Sequence, residues 1–133
     1  MVDALRRART MLRSGGLILD VHPTVEAPHL EVSGGAWTGD LHAADARRRH
    51  TAADAAVATV VDLKLFTVEG EEEFSFRRYA DSLSELREYI AQKWSDGQLD
   101  DETVHRTIER LRADRDAVLW LREQARVTTL RPL

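Results

Sequence analysis

Leu12-Arg13-Ser14-Gly15-Gly16-Leu17-Ile18-Leu19-Asp20-Val21-His22-Pro23 is the stretch on which the fold of this chain turns. The paired glycines let the backbone take positive φ and so end any helix that precedes them. Leu17 to His22 is short and apolar and is closed by Pro23, which predicts a buried β-strand. Upstream, Leu5, Ala8 and Leu12 fall on one helical stripe while Arg6, Arg7 and Arg9 occupy the rest of the surface. Arg13 stands where a cation complements the helix dipole, so a helix is expected from Val2 to Arg13.

Downstream of Pro23, residues 24–28 read as a loop. His29–Ser33 and Ala36–Leu41 flank Gly34-Gly35, the pattern of a hairpin with a tight two-residue turn. The alanine-rich stretch Ala43–Phe66 predicts a long helix with Ala46, Ala53, Val57 and Val60 or Val61 facing inward. Gly70 and Glu71-Glu72-Glu73 suggest an exposed turn, followed by a strand with an aromatic face at Phe74 and Phe76. Ser82 and Glu85 form a capping box in which each side chain serves the other residue's amide. Leu83, Leu86, Ile90 and Trp94 then make the inner face of that helix. A further helix begins at Asp100 or Asp101, with Leu99 and Val104 at staple positions and Val104, Ile108 and Leu111 as its stripe. Val118–Arg131 looks extended, with Leu119, Leu121, Ala125, Val127 and Thr129 on one parity. Glu123 interrupts them, so a bend or bulge is expected near Arg122–Gln124. These elements predict an α+β fold: a small mixed or antiparallel sheet of about four to five strands packed by about three to four helices.

The 133 residues fit a single domain, and a chain of this length buries roughly two-thirds of its unfolded surface. Hydrophobic residues at 43% and charged residues at 32% place it among folded proteins and away from the disordered regime. No cysteine is present, which excludes disulfides, thiolate metal centres and a cysteine nucleophile. That absence favours a reducing, cytoplasmic location. Leu17-Ile18-Leu19 is too short for a signal core or a membrane span. A net charge of −4 gives no general footprint for nucleic acid, and Arg47-Arg48-Arg49 reads as a solvated helix surface.

The L-R-S-G-G-L-I-L run from Leu12 to Leu19 resembles the L-(K/R)-P-G-G-x-L element of class I SAM-dependent methyltransferases, with Ser14 in place of the proline. In that family the element joins the helix after the fourth strand to the fifth strand. The resemblance implies that the residues after Pro23 supply the sixth and seventh strands, paired antiparallel at one sheet edge. Phe74-Ser75-Phe76 and the terminal Val127-Thr128-Thr129-Leu130 are the segments that correspond to them. Nearly the whole chain then matches the family's C-terminal half. The family holds SAM on a Gly-rich turn, yet glycines 15, 16, 34, 35, 39, 70 and 97 form no G-x-G, and the chain starts at the helix that follows the cofactor half. No cofactor-binding residue is therefore assigned, and SAM enters only if a partner chain supplies the binding half.

Asp20, His22, Asp40, His42 and His50 are the polar residues worth testing. Asp20 and His22 share strand parity, as do Asp40 and His42. If the two strands are neighbours, four side chains converge as acid–base groups or metal ligands. The alternative is that strand-end polar residues meet solvent and that Asp40 starts the next turn or helix. His50 shares a stripe with Ala46, Ala53 and Val57 and reads as a hydrogen-bonded structural histidine, while His29 and His105 lack companions. His22, Asp20 and His42 are kept as catalytic candidates, and no metal site is assigned. Three functions fit: a non-catalytic methyltransferase-like remnant that dimerises or docks a partner protein, the substrate-side subunit of a split methyltransferase, and an unrelated small-ligand domain lined by Trp37, Trp94 or Trp120. The resemblance implies that the Leu17–His22 strand lacks the fourth strand that normally lies beside it, and the unpaired edge this would leave favours the first.

Overall fold

In a computed structural model describing residues 1–133, the glycine pair does not itself end the first helix: Gly15, at φ +79°, lies in a separate turn closed by the Gly16 amide on the Arg13 carbonyl. Helix α1 runs Val2–Met11 and stops before Arg13, because Leu12 is already extended. Strand β1 follows at Ile18–Pro23, then β2 at His29–Val32, β3 at Ala36–Asp40 and helix α2 at Ala44–Asp62. The remaining elements are β4 at Phe66–Ala80, α3 at Leu83–Lys93, α4 at Asp101–Ala113 and β5 at Leu119–Pro132. The fold is α+β, with four helices and a five-stranded sheet ordered β1-β5-β2-β3, β4 also pairing with β5. Each pairing with a defined register is antiparallel. No helix is long and apolar enough to cross a membrane.

The chain divides into two compact units, and α2, β4 and β5 each contribute to both. Unit 1 comprises Met1–Val25, Arg48–Phe74 and Ala125–Leu133. Its core is Leu5, Val60, Phe66 and Leu130, ringed by Val2, Ile18, Val57, Val61 and Leu65. β1 pairs with β5 from Ile18↔Leu130 to Pro23↔Ala125, so His22 stands opposite Arg126. The strand was expected to be buried throughout, but only its even-numbered face is covered. Leu17, Leu19 and Val21 are 41%, 65% and 56% exposed, because the α1 and α2 residues of this core gather on the Ile18 and Leu130 side.

Helix α2 ends at Asp62 rather than near Phe66. Lys64 takes a left-handed φ of 58°, and the Leu65 amide bonds back to the Val60 carbonyl, which frees Phe66 to open β4 in the core. The expected turn at Gly70–Glu73 is instead continuous strand. Across β4 and β5, Glu69 pairs with Arg131, and Glu73 with Arg126, so the acidic run is held extended by cross-strand charge.

Unit 2 comprises Glu26–Arg47 and Ser75–Gln124. Its core contains Leu30, Val32, Leu41, Leu86, Ile90, Trp94, Leu119 and Leu121. The hairpin closes with the pair Val32↔Ala36, so its loop is Ser33-Gly34-Gly35, all at positive φ, rather than the glycine pair alone. Ser33 is held there by bonds to both backbone groups of Val118, its amide donating to the carbonyl and its hydroxyl accepting from the amide. Ser82 caps α3 by accepting from the Glu85 amide at 3.1 Å, while Glu85 reaches back to the Asp81 amide at 2.8 Å and not to that of Ser82.

Asp100 caps α4, accepting from the Thr103 amide at 2.7 Å. The buried face of α4 is Thr103 and Thr107, with Val104, Ile108 and Leu111 only half-buried. The reason is Gly39 on β3, where a Cβ would lie 2.0 Å from Thr103 Oγ1, so the helix approaches the strand closely. Thr38 and Thr107 hydroxyls bond at 2.8 Å within that contact. Glu123 does not break β5. It is buried and takes both its bonds from Lys93 Nζ, at 2.7 and 2.8 Å. The buried positions of β5 change parity between Ala125 and Thr128 instead, as Leu119 and Leu121 serve one core and Leu130 the other.

Candidate functional site

The even face of β1 brings Asp20 and His22 together in unit 1, and α2 adds a third residue, Asp54. His22 Nδ1 lies 2.6 Å from Asp20 Oδ2, and Nε2 lies 2.9 Å from Asp54 Oδ1. Arg126, opposite His22 on β5, donates to the same Asp54 oxygen at 3.1 Å. Its other nitrogens reach Glu73 Oε1 at 2.6 and 3.1 Å, with Glu71 at 3.7 Å. The result is a chain of alternating charge from Asp20 through His22, Asp54 and Arg126 to the glutamates of β4. Beside it lies a cleft of about 290 Å³ walled by Val57, Val61 and Val68 and floored by His22, Asp54 and Arg126.

Burial alone lowers the pKa of His22, but the hydrogen bonds and charges of Asp54 and Asp20 outweigh it and raise it above the ordinary 6.5. With a carboxylate at each nitrogen, the protonated ring donates twice. In that state it has no lone pair with which to act as a general base or bind a metal. Asp54 was missed in the sequence. Its one signal was isolation, a single charge within Ala52-Ala53-Asp54-Ala55-Ala56-Val57.

Asp40 and His42 belong to unit 2 and have other partners. Asp40 accepts from Trp37 Nε1 at 2.9 Å, and the exposed His42 ring is 3.6 Å from Asp100. The first turn of α2 is served from another loop, Asp96 accepting from the Asp45 amide at 2.8 Å, rather than by Asp40. His50 is half-buried, with Nδ1 3.0 Å from the Thr24 carbonyl. Trp94 is in the unit 2 core and Trp37 lies under Arg106, whose guanidinium is 5.0 Å from its ring.

A second polar cluster, also unforeseen, centres on Glu31 of unit 2, which is only 3% exposed. It accepts from Trp120 Nε1 at 2.5 Å, His29 Nε2 at 2.8 Å and Arg122 Nη1 at 3.0 Å. His29 therefore does have a companion. Burial would raise the Glu31 pKa, but the bonds from His29, Arg122 and Trp120 prevail and hold it at about 2. Arg77 stacks 4.4 Å from the Trp120 ring centre and Tyr79 meets its edge, closing the cluster from β4. Every ligand-capable oxygen of Glu31 is thus engaged by the fold. Compared with protein-family models, with curated proteins and with solved structures, the chain matches none.

Proposed function

We propose that this chain is a methyltransferase-like C-terminal module that works by association with another protein chain, in the first place a second copy of itself. The observation that carries this reading is β1. It ends the sheet order with β5 as its one strand partner, its Leu19 and Val21 side chains are more than half exposed, and Leu17 just before it is partly so. A free strand edge beside an apolar face is a template for pairing. Phe74 extends that face, since its neighbour Glu73 turns toward Arg126 and successive strand residues alternate; it is 45% exposed.

The methyltransferase-like part is supported by the sequence Leu12–Leu19 and by the strand neighbours, β1 beside an antiparallel β5 that also pairs with β4. The absence of any G-x-G supports a role without SAM chemistry of its own. A second copy fits the edge because antiparallel pairing about Leu19 sets Leu19 against its own copy and Leu17 against Val21. Both pairs keep one parity, as a two-fold interface requires. Light scattering over a concentration series is expected to give a dimer mass, and Leu19→Asp a monomer with unchanged circular dichroism. A wild-type chain that stays monomeric at the highest concentration overturns the reading.

The cleft beside His22 favours one competing function, the substrate side of a split methyltransferase whose partner brings SAM. Coexpression with a protein carrying a Gly-rich SAM-binding half distinguishes the two: copurification supports the split enzyme, and its failure removes it.

A further inference from the structure

We propose that His22 is a proton-operated latch in unit 1, tying β1 to α2 while protonated and releasing the α2 side when it loses its proton. The geometry carries this. Two carboxylates from different elements, Asp20 of β1 and Asp54 of α2, face the two ring nitrogens at 2.6 and 2.9 Å, and the His22 side chain is only 10% exposed. From β5 the group facing the site is Arg126, and from β4 Glu71 and Glu73 address Arg126 rather than the imidazole. Helix α1 brings apolar Val2 and Leu5 to this core.

A neutral imidazole donates only once, so deprotonation leaves one carboxylate facing a lone pair at hydrogen-bond distance. The electrostatics select which one. Asp54 keeps Arg126 at 3.1 Å as a second donor, whereas Asp20 depends on His22. The remaining proton therefore stays on Nδ1 against Asp20, and the Nε2 link to α2 is the one that opens. Because the folded-state pKa lies above the ordinary 6.5, the latch is fully engaged below that value and is lost as pH rises through the folded pKa. Opening loosens the α2 wall of the cleft that Asp54, Val57 and Val61 form.

Imidazole nitrogen NMR and amide hydrogen exchange on the full chain, from mildly acidic to mildly basic pH, test the latch. His22 is expected to titrate above an ordinary histidine and to end as the Nδ1–H tautomer. Protection of Arg48–Asp62 amides, corrected for the intrinsic rise of exchange with pH, should fall several-fold through the same midpoint. His22→Gln should remove that step, and Asp54→Asn, which keeps the shape, should lower the His22 midpoint. A midpoint at or below the ordinary value, or an equal loss of protection in His22→Gln, overturns the proposal.

Discussion

Glu31 shows how a single buried charge is tolerated. Its two oxygens are shared among an indole, an imidazole and a guanidinium, so the carboxylate is better satisfied in the folded chain than in water. Its pKa is depressed from 4.5 to about 2, so its contribution is complete above the unfolded value and disappears as pH falls from about 4.5 toward 2. The two values correspond to a contribution on the order of 3 kcal/mol at neutral pH. Glu31→Gln should lose about that much in urea denaturation near neutrality and show little of the wild-type decline in acid; an unchanged acid limb would disprove the assignment. His22 has the opposite sign. Its stabilisation belongs to the acidic side, so the two clusters weaken at opposite ends of the pH scale.

At the scale of elements, the sequence was most legible where punctuation is local. The Ser82 and Asp100 caps and the hairpin at residues 29–40 rest on signals spanning a few residues and lie where expected, though Glu85 serves Asp81 and the hairpin loop takes in Ser33 as well as the glycine pair. Misreadings arose where an element's state depends on a distant segment. β4 reads as a turn at Gly70–Glu73 until Arg126 and Arg131 are seen across from its glutamates. α4 reads as packing through Val104, Ile108 and Leu111 until Gly39 is seen to admit Thr103. That contact makes a sharp prediction. Gly39→Ala should destabilise the chain by about 1–3 kcal/mol, since α4 must retreat from β3. A denaturation midpoint equal to wild type would show that the approach is not as close as described.

At the scale of the molecule, the five-stranded sheet leaves a strand edge and an apolar face in water, a state that association relieves. If the dimer forms through β1, dimerisation is coupled to folding and the thermal midpoint of the wild-type chain should rise with protein concentration. The Leu19→Asp midpoint should stay constant over the same range, and a flat wild-type curve would separate β1 from any association observed. The sequence by itself determined the class of fold, the helix starts and the position of β1, because backbone preference, capping and glycine punctuation act between near neighbours. It placed Asp20 and His22 on one face for the same reason. Only the tertiary structure decided which face of β1 is covered, and that His22 is met by Asp54, 32 residues away, rather than by Asp40 and His42. Burial and charge pairing depend on which remote segments come together, and no local pattern encodes that choice. The strand that first announced the fold therefore has two faces decided at different levels: its even face holds the charge chain, and its odd face is left in water.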